Sequence, residues 1–137
     1  TFSKPIPASF RGSSQNLGDI ALLPDKNMDF LKEIMPAVTV CDKDGKIVFM
    51  NESSEKVNGE GLIGVNILEQ CHPEPARTKL IGLMENRATN AYTIQKGEVR
   101  KLIYQTPWYR GGEFAGMVEF SLPIPDEMPH YVRKPKE

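Results

Sequence analysis

Cysteine is scarce in this chain. Cys41 and Cys71 are the only two in 137 residues, too few for a disulfide framework. Long apolar runs are missing too: none exceeds four residues, which excludes a membrane-spanning helix and leaves no membrane partner to expect. There is no basic excess. Seventeen Lys and Arg stand against 18 Asp and Glu, a net charge of -1, so nucleic acid is not expected as a partner either. With no cleavable signal stretch at the N-terminus and so little cysteine, the expectation is a reduced, cytoplasmic protein. What remains is a globular composition, 39% hydrophobic and 26% charged, in a chain long enough to bury roughly two-thirds of its unfolded surface.

Glycine and proline, eleven of each, are in mild excess over the roughly 12% of ordinary usage, and their positions divide the chain. Seven prolines lie near the ends: Pro5, Pro7, Pro24, Pro123, Pro125, Pro129 and Pro135. The glycines mostly punctuate the middle, from Gly45 to Gly116. Three parts follow: a leader over 1–27, a body over 28–122 and a Pro-rich tail over 123–137. The leader carries Phe2, Ile6, Phe10, Leu17, Ile20, Leu22 and Leu23, too apolar for an inert linker. It is expected to pack on the outer sheet face or on a second protomer, giving a homodimer.

Along the body, Phe30, Leu31 and Ile34 fall on one side of a short helix over 29–34 that Pro36 ends. Ala37–Cys41 and Lys46–Met50 are β-branched runs joined by Asp42-Lys-Asp-Gly45, a hairpin. Asn51 caps a polar helix that stops at Asn58-Gly59. Residues 61–68 are glycine-broken and hold a single helical turn. Pro73 then opens the main helix, with Glu74 at its positive end and Ala76, Leu80, Ile81, Leu83, Met84 and Ala88 at helical spacing. Three strands follow over 91–95, 99–109 and 114–122, turning at Lys96-Gly97 and Arg110-Gly-Gly112. In the last, alternation sets Phe114, Gly116, Val118, Phe120 and Leu122 on one face and Glu119 and Ser121 on the other. Pro107 belongs where its strand outruns a neighbour, or at a bulge. The fold class is therefore α+β, a five-stranded antiparallel sheet with helices covering one face.

Four pieces in this order and spacing carry a resemblance: Asp44-Gly-Lys-Ile-Val-Phe-Met-Asn-Glu52, Leu62-Ile-Gly-Val-Asn-Ile-Leu68, His72-Pro-Glu74 and Gly112-Glu-Phe-Ala-Gly-Met-Val118. Together they resemble the PAS domain family, over about 28–122, and the Cys71-His72-Pro73 spelling with Pro107-Trp108 is closest to bacterial sensory members. The resemblance implies a strand order of 2-1-5-4-3 and a cavity between sheet and helices. Such domains sense a small molecule, a cofactor or redox state, or serve as dimerisation and docking modules. Which cofactor, if any, is unknown from the resemblance. The prolines after the last strand leave no room for the family's common coiled-coil output helix, so output through a signalling partner is expected.

From the resemblance and alternation together, the cavity-lining candidates are Thr39, Cys41, Leu80, Met84, Tyr92, Ile103, Gln105 and Val118. Gln105 is the most informative, since a buried amide must find a partner. Each of the apolar ones is also an ordinary core residue. Cys71 and His72 are candidates for redox chemistry or a haem or metal contact, set against a plain helix opening at His72-Pro73-Glu74; the other ligand-type side chains, Cys41 and His130, are distant in sequence. Covalent flavin chemistry is not expected, because Asn66-Ile-Leu-Glu-Gln-Cys71 lacks the Asn-Cys-Arg-like stretch of the light-sensing relatives. No pair of acids surrounds a nucleophile, so no enzyme is expected.

Overall fold

The Asp42–Gly45 turn organises the first third of the domain. Asp42 Oδ1 accepts from the backbone N–H groups of Asp44 and Lys46, both at 2.9 Å, so one side chain satisfies two turn donors. Gly45, at φ 94°, completes the turn and closely faces Leu68 and Asn66, where a Cβ would touch both at about 3 Å. The hairpin it closes joins β1 (Ala37–Asp42) to β2 (Ile47–Met50). This computed structural model describes residues 29–71 and 73–136; the leader over 1–27, and with it the expected packing on the sheet or a second protomer, lies outside the described residues.

Helix α1 (Glu52–Asn58) follows at once, capped by the Asn51 side chain and stopped at Gly59. The segment after it returns to the hairpin. Ile47 donates to Val65 O, Gly64 to Ile47 O and Ile67 to Gly45 O, at 2.8–2.9 Å, and Asn66 Nδ2 donates to Asp44 O at 2.9 Å. A single π-helical turn, Ile67–Cys71, begins at the end of the 61–68 segment where one turn is expected and lies mostly beyond it. Helix α2 (Ala76–Asn86) packs Leu80, Leu83 and Met84 inward.

That helix starts three residues later than the sequence suggests. Glu74 precedes Pro75, and a residue before proline is pushed out of the helical region, so helical geometry waits for Ala76. Glu74 therefore sits before the first turn, bonded to the Thr78 hydroxyl at 2.5 Å and paired with Arg77 at 3.4 Å; those bonds hold its carboxyl below the usual range. At the other end Arg87 is left-handed, and Ala88, beyond the helix, still packs against the core while donating to Leu83 O. The first helical stretch ends at 32, two residues before the expected 34, and leaves Phe30 exposed while Leu31 and Ile34 are half-buried.

Strands β3 (Asn90–Lys96), β4 (Val99–Arg110) and β5 (Glu113–Ile124) complete one antiparallel sheet of order β2-β1-β5-β4-β3. Strand β5 runs two residues past the expected end, so Pro123 is paired with Lys101 rather than lying in the tail. Pro107 lies beyond the last residue that β3 pairs, where its missing N–H opens no ladder bond on that side. The core joins Cys41 and Met117 of the sheet to Leu80, Leu83 and Met84 of α2, with Ile67, Leu68, Ala88 and Phe114 around them. Among the described residues no helix is long and apolar enough to cross a membrane.

Candidate functional site

The pleat decides what the sheet offers to its helices. Opposed residues share a face, and the register aligns three rows on the inner one: Ala37, Ser121, Ile103 and Tyr92; then Thr39, Glu119, Gln105 and Asn90; then Cys41, Met117 and Pro107. The middle row is polar from end to end. Asn90 Nδ2 donates to Gln105 Oε1 at 3.0 Å, Gln105 Nε2 donates to Glu119 Oε1 at 2.8 Å, and the Thr39 hydroxyl bonds that of Ser54 on α1.

Two clefts flank this row. The larger, about 340 Å³, lies between Cys41, Ile47, Met50, Gln105, Met117 and Glu119 of the sheet and Leu62, Ile67 and Leu80 on the other side. The smaller, about 190 Å³, runs from Tyr92, Ile103 and Ser121 to Val57 of α1, with Lys96 and Lys101 at its rim. Thr39, Asn58 and Glu119 border both.

Of the residues expected to line a cavity, Thr39, Cys41, Leu80, Gln105 and Val118 border the larger cleft, and Tyr92 and Ile103 the smaller. Met84 borders neither. It is a core residue, packed with Cys41, Leu83 and Met117. Val118 touches the cleft although its register pairs it with Val40 and Thr106 on the outer face. The facing expected for Val118 is inverted: Glu119 and Ser121 face inward, Val118, Phe120 and Leu122 share the outer face, and Phe114, expected with them, packs against the core.

A bulge between Trp108 and Tyr109 causes the inversion. Counted back from the Gly111-Gly112 turn without a bulge, Gln105 would oppose Val118; the extra residue puts it opposite Glu119 and exchanges the two faces of β5. Glu119 is the inner-face residue that sequence reasoning missed for this reason; Asn90 was missed because β3 starts one residue before the expected 91. The polar, bulge-prone surroundings of Pro107 were the available signal. Gly116, opposite Trp108, permits the close approach: a Cβ there would stand 1.9 Å from the Cys41 carbonyl, the oxygen that accepts from Trp108 Nε1 at 3.0 Å.

Burial sets the chemistry of the titratable groups. It pushes the Cys41 thiol up from 9.0 to about 11, offset in part by a hydrogen bond to the Met117 backbone. The Tyr92 hydroxyl is also raised, first by burial and then by the charge of Glu119. Cys71 closes the π-turn, whereas His72 lies outside the described residues. Among the described residues no group of three or more His, Cys, Asp or Glu is placed to hold a metal ion.

No family model matches the chain, and no curated protein matches it. Solved structures do. The PAS domain of histidine kinase ThkA superposes with a TM-score of 0.55 at 19% identity, covering 65% of this chain and 99% of that one. This is the PAS fold. A C-terminal domain from Streptococcus mutans gives a TM-score of 0.60 at 19% identity, over 82% and 93% of the two chains. VqmA bound to DPO gives 0.56 at 17% identity, over 74% of this chain and 57% of that one. Both the PAS fold and its strand order are those implied by the sequence motifs.

Proposed function

We propose that this chain is a non-catalytic sensory or regulatory module that holds a small molecule in the larger cleft and signals through association with a second copy or a partner protein. The observation that carries this reading is the cleft itself. About 340 Å³ between sheet, π-turn and α2 lies within the size of small-ligand sites, with apolar walls and a few convergent polar groups from the Thr39, Glu119 and Gln105 row. VqmA, which shares the PAS fold, has a structure bound to DPO. The non-catalytic reading is supported by Cys41, whose thiol, pushed up to about 11, is a poor nucleophile at neutral pH.

Native mass spectrometry and an absorption spectrum of freshly purified protein test the proposal, together with an NMR screen of small fragments read at Leu80 and Met117. A co-purifying mass, or fragments that shift those resonances, is the expected result. Clean apo protein whose cleft resonances no fragment moves would overturn it. A second reading, a ligand-free docking module, draws on the apolar outer sheet face, where Leu102, Val118, Phe120 and Leu122 remain partly exposed. Sedimentation over a concentration series addresses the association step: a monomer throughout removes the second copy as the route of output.

A further inference from the structure

Reading the larger cleft as a small-molecule site, its lining narrows the chemistry of the occupant. Among the described residues that wall carries one charged side chain, Glu119, and no lysine, arginine or histidine; Lys96 and Lys101 line the smaller cleft instead. Gln105 donates to Glu119 Oε1, and Asn90 donates to Gln105 Oε1 from behind, which fixes the amide with its N–H group toward the carboxylate. No ion pair reaches Glu119 among the described residues. A carboxylate has about four lone-pair sites, so acceptor capacity stays open at the border of the cleft. An anionic head entering here meets an uncompensated negative charge beside apolar walls, whereas a cation neutralises it. Away from Glu119 the neutral side chains of Thr39, Asn58 and Gln105 are the other polar groups, and Leu62, Leu80 and Met117 are among the residues that supply an apolar wall.

We propose that the larger cleft selects a small amphipathic cation, its ammonium or amidinium head against the Glu119 carboxylate and its apolar body against Leu80 and Met117. The inference rests on the ligand-binding reading above, and three probes of one size separate the two. Benzylammonium, benzyl alcohol and benzoate differ only in the head group, and each is titrated into the full chain while the resonances of Leu80, Met117 and Gln105 are followed. Benzylammonium is expected to bind about ten-fold or more tightly than benzoate, with benzyl alcohol between them. Added salt is expected to shrink that ratio. Glu119→Gln keeps an acceptor for Gln105 and removes the charge, so the ratio is expected to fall close to one in that variant. If benzylammonium and benzoate bind the unaltered protein equally, the selectivity is wrong while the ligand site stands. If Glu119→Gln folds and keeps the full ratio, Glu119 is not its source and the proposal fails. If none of the three probes moves a cleft resonance, both the selectivity and the ligand site are overturned.

Discussion

Asn51 uses all four of its hydrogen-bonding positions. Oδ1 accepts from the N–H groups of Val38 and Ser54, both at 3.0 Å, and Nδ2 donates to the carbonyls of Leu31 and Pro36, both at 2.9 Å. One fully buried amide thus joins β1, the cap of α1 and the chain entering the sheet. Asn51→Asp keeps the shape and both acceptor contacts but faces two carbonyls without a donor. Loss of about 3 kcal/mol of stability is expected at neutral pH, read by urea unfolding against the unaltered protein. A loss under about 1 kcal/mol would mean that water replaces the missing donors. Gly116 is the second such residue. It has φ 148°, and a Cβ there meets backbone, which cannot swing aside as a side chain can. Gly116→Ala is expected to cost about 3 kcal/mol or more and to red-shift Trp108 fluorescence as the indole leaves the Cys41 carbonyl. The cap role of Asn51 was legible in the sequence because capping is local. Its bonds to Leu31, Pro36 and Val38 were not, since they depend on which segments meet in space.

At the scale of elements, local rules worked where one segment settles its own geometry. The Asp42–Gly45 hairpin, the Asn51 cap and the two later turns follow from turn and cap chemistry within a few residues. Rules failed where two signals competed. Pro73 and Pro75 both suit a helix opening, and only the second begins α2, because the first is followed by a residue that a proline restricts. In β5 Val118 is expected in the cavity, while one extra residue in β5 itself, between Phe114 and Gly116, puts Val118, Phe120 and Leu122 on the outer face and turns Glu119 in. Hydrophobic pattern alone cannot separate two half-apolar faces of one sheet, and register decides. Within α2, Gly82 is a place where local propensity can be improved. Its φ is not positive, and an added Cβ would meet nothing within 4 Å. Gly82→Ala is therefore expected to stabilise the protein by about 0.5–1 kcal/mol, measured as a higher urea midpoint with an unchanged slope. An unchanged midpoint would show that α2 contributes little to the cooperative unit.

For the whole molecule, the larger cleft and the core meet at Cys41, which is packed with Leu80 and Met117 and also borders that cleft. Its thiol links the integrity of that junction to pH. In the folded protein it ionises near 11, whereas in the unfolded chain it ionises near its ordinary value of 9.0. Between those values the unfolded chain has lost a proton that the folded one keeps, so stability falls as pH rises. The contribution is complete below about pH 9 and is lost as pH climbs toward 11. Integrated over that window it amounts to about 2 kcal/mol. Lysines and tyrosines titrate in the same range, so the quantity to measure is the difference between the unaltered protein and Cys41→Ala, by urea unfolding at pH 8 and pH 11. The variant leaves a small void and is less stable at pH 8, and its deficit is expected to shrink by about 2 kcal/mol at pH 11 because it has no thiol to titrate. A deficit that stays constant within about 0.5 kcal/mol would mean that water reaches the thiol in the folded state, which would make the cleft wetter and less apolar at Cys41 than its packing with Leu80 and Met117 implies.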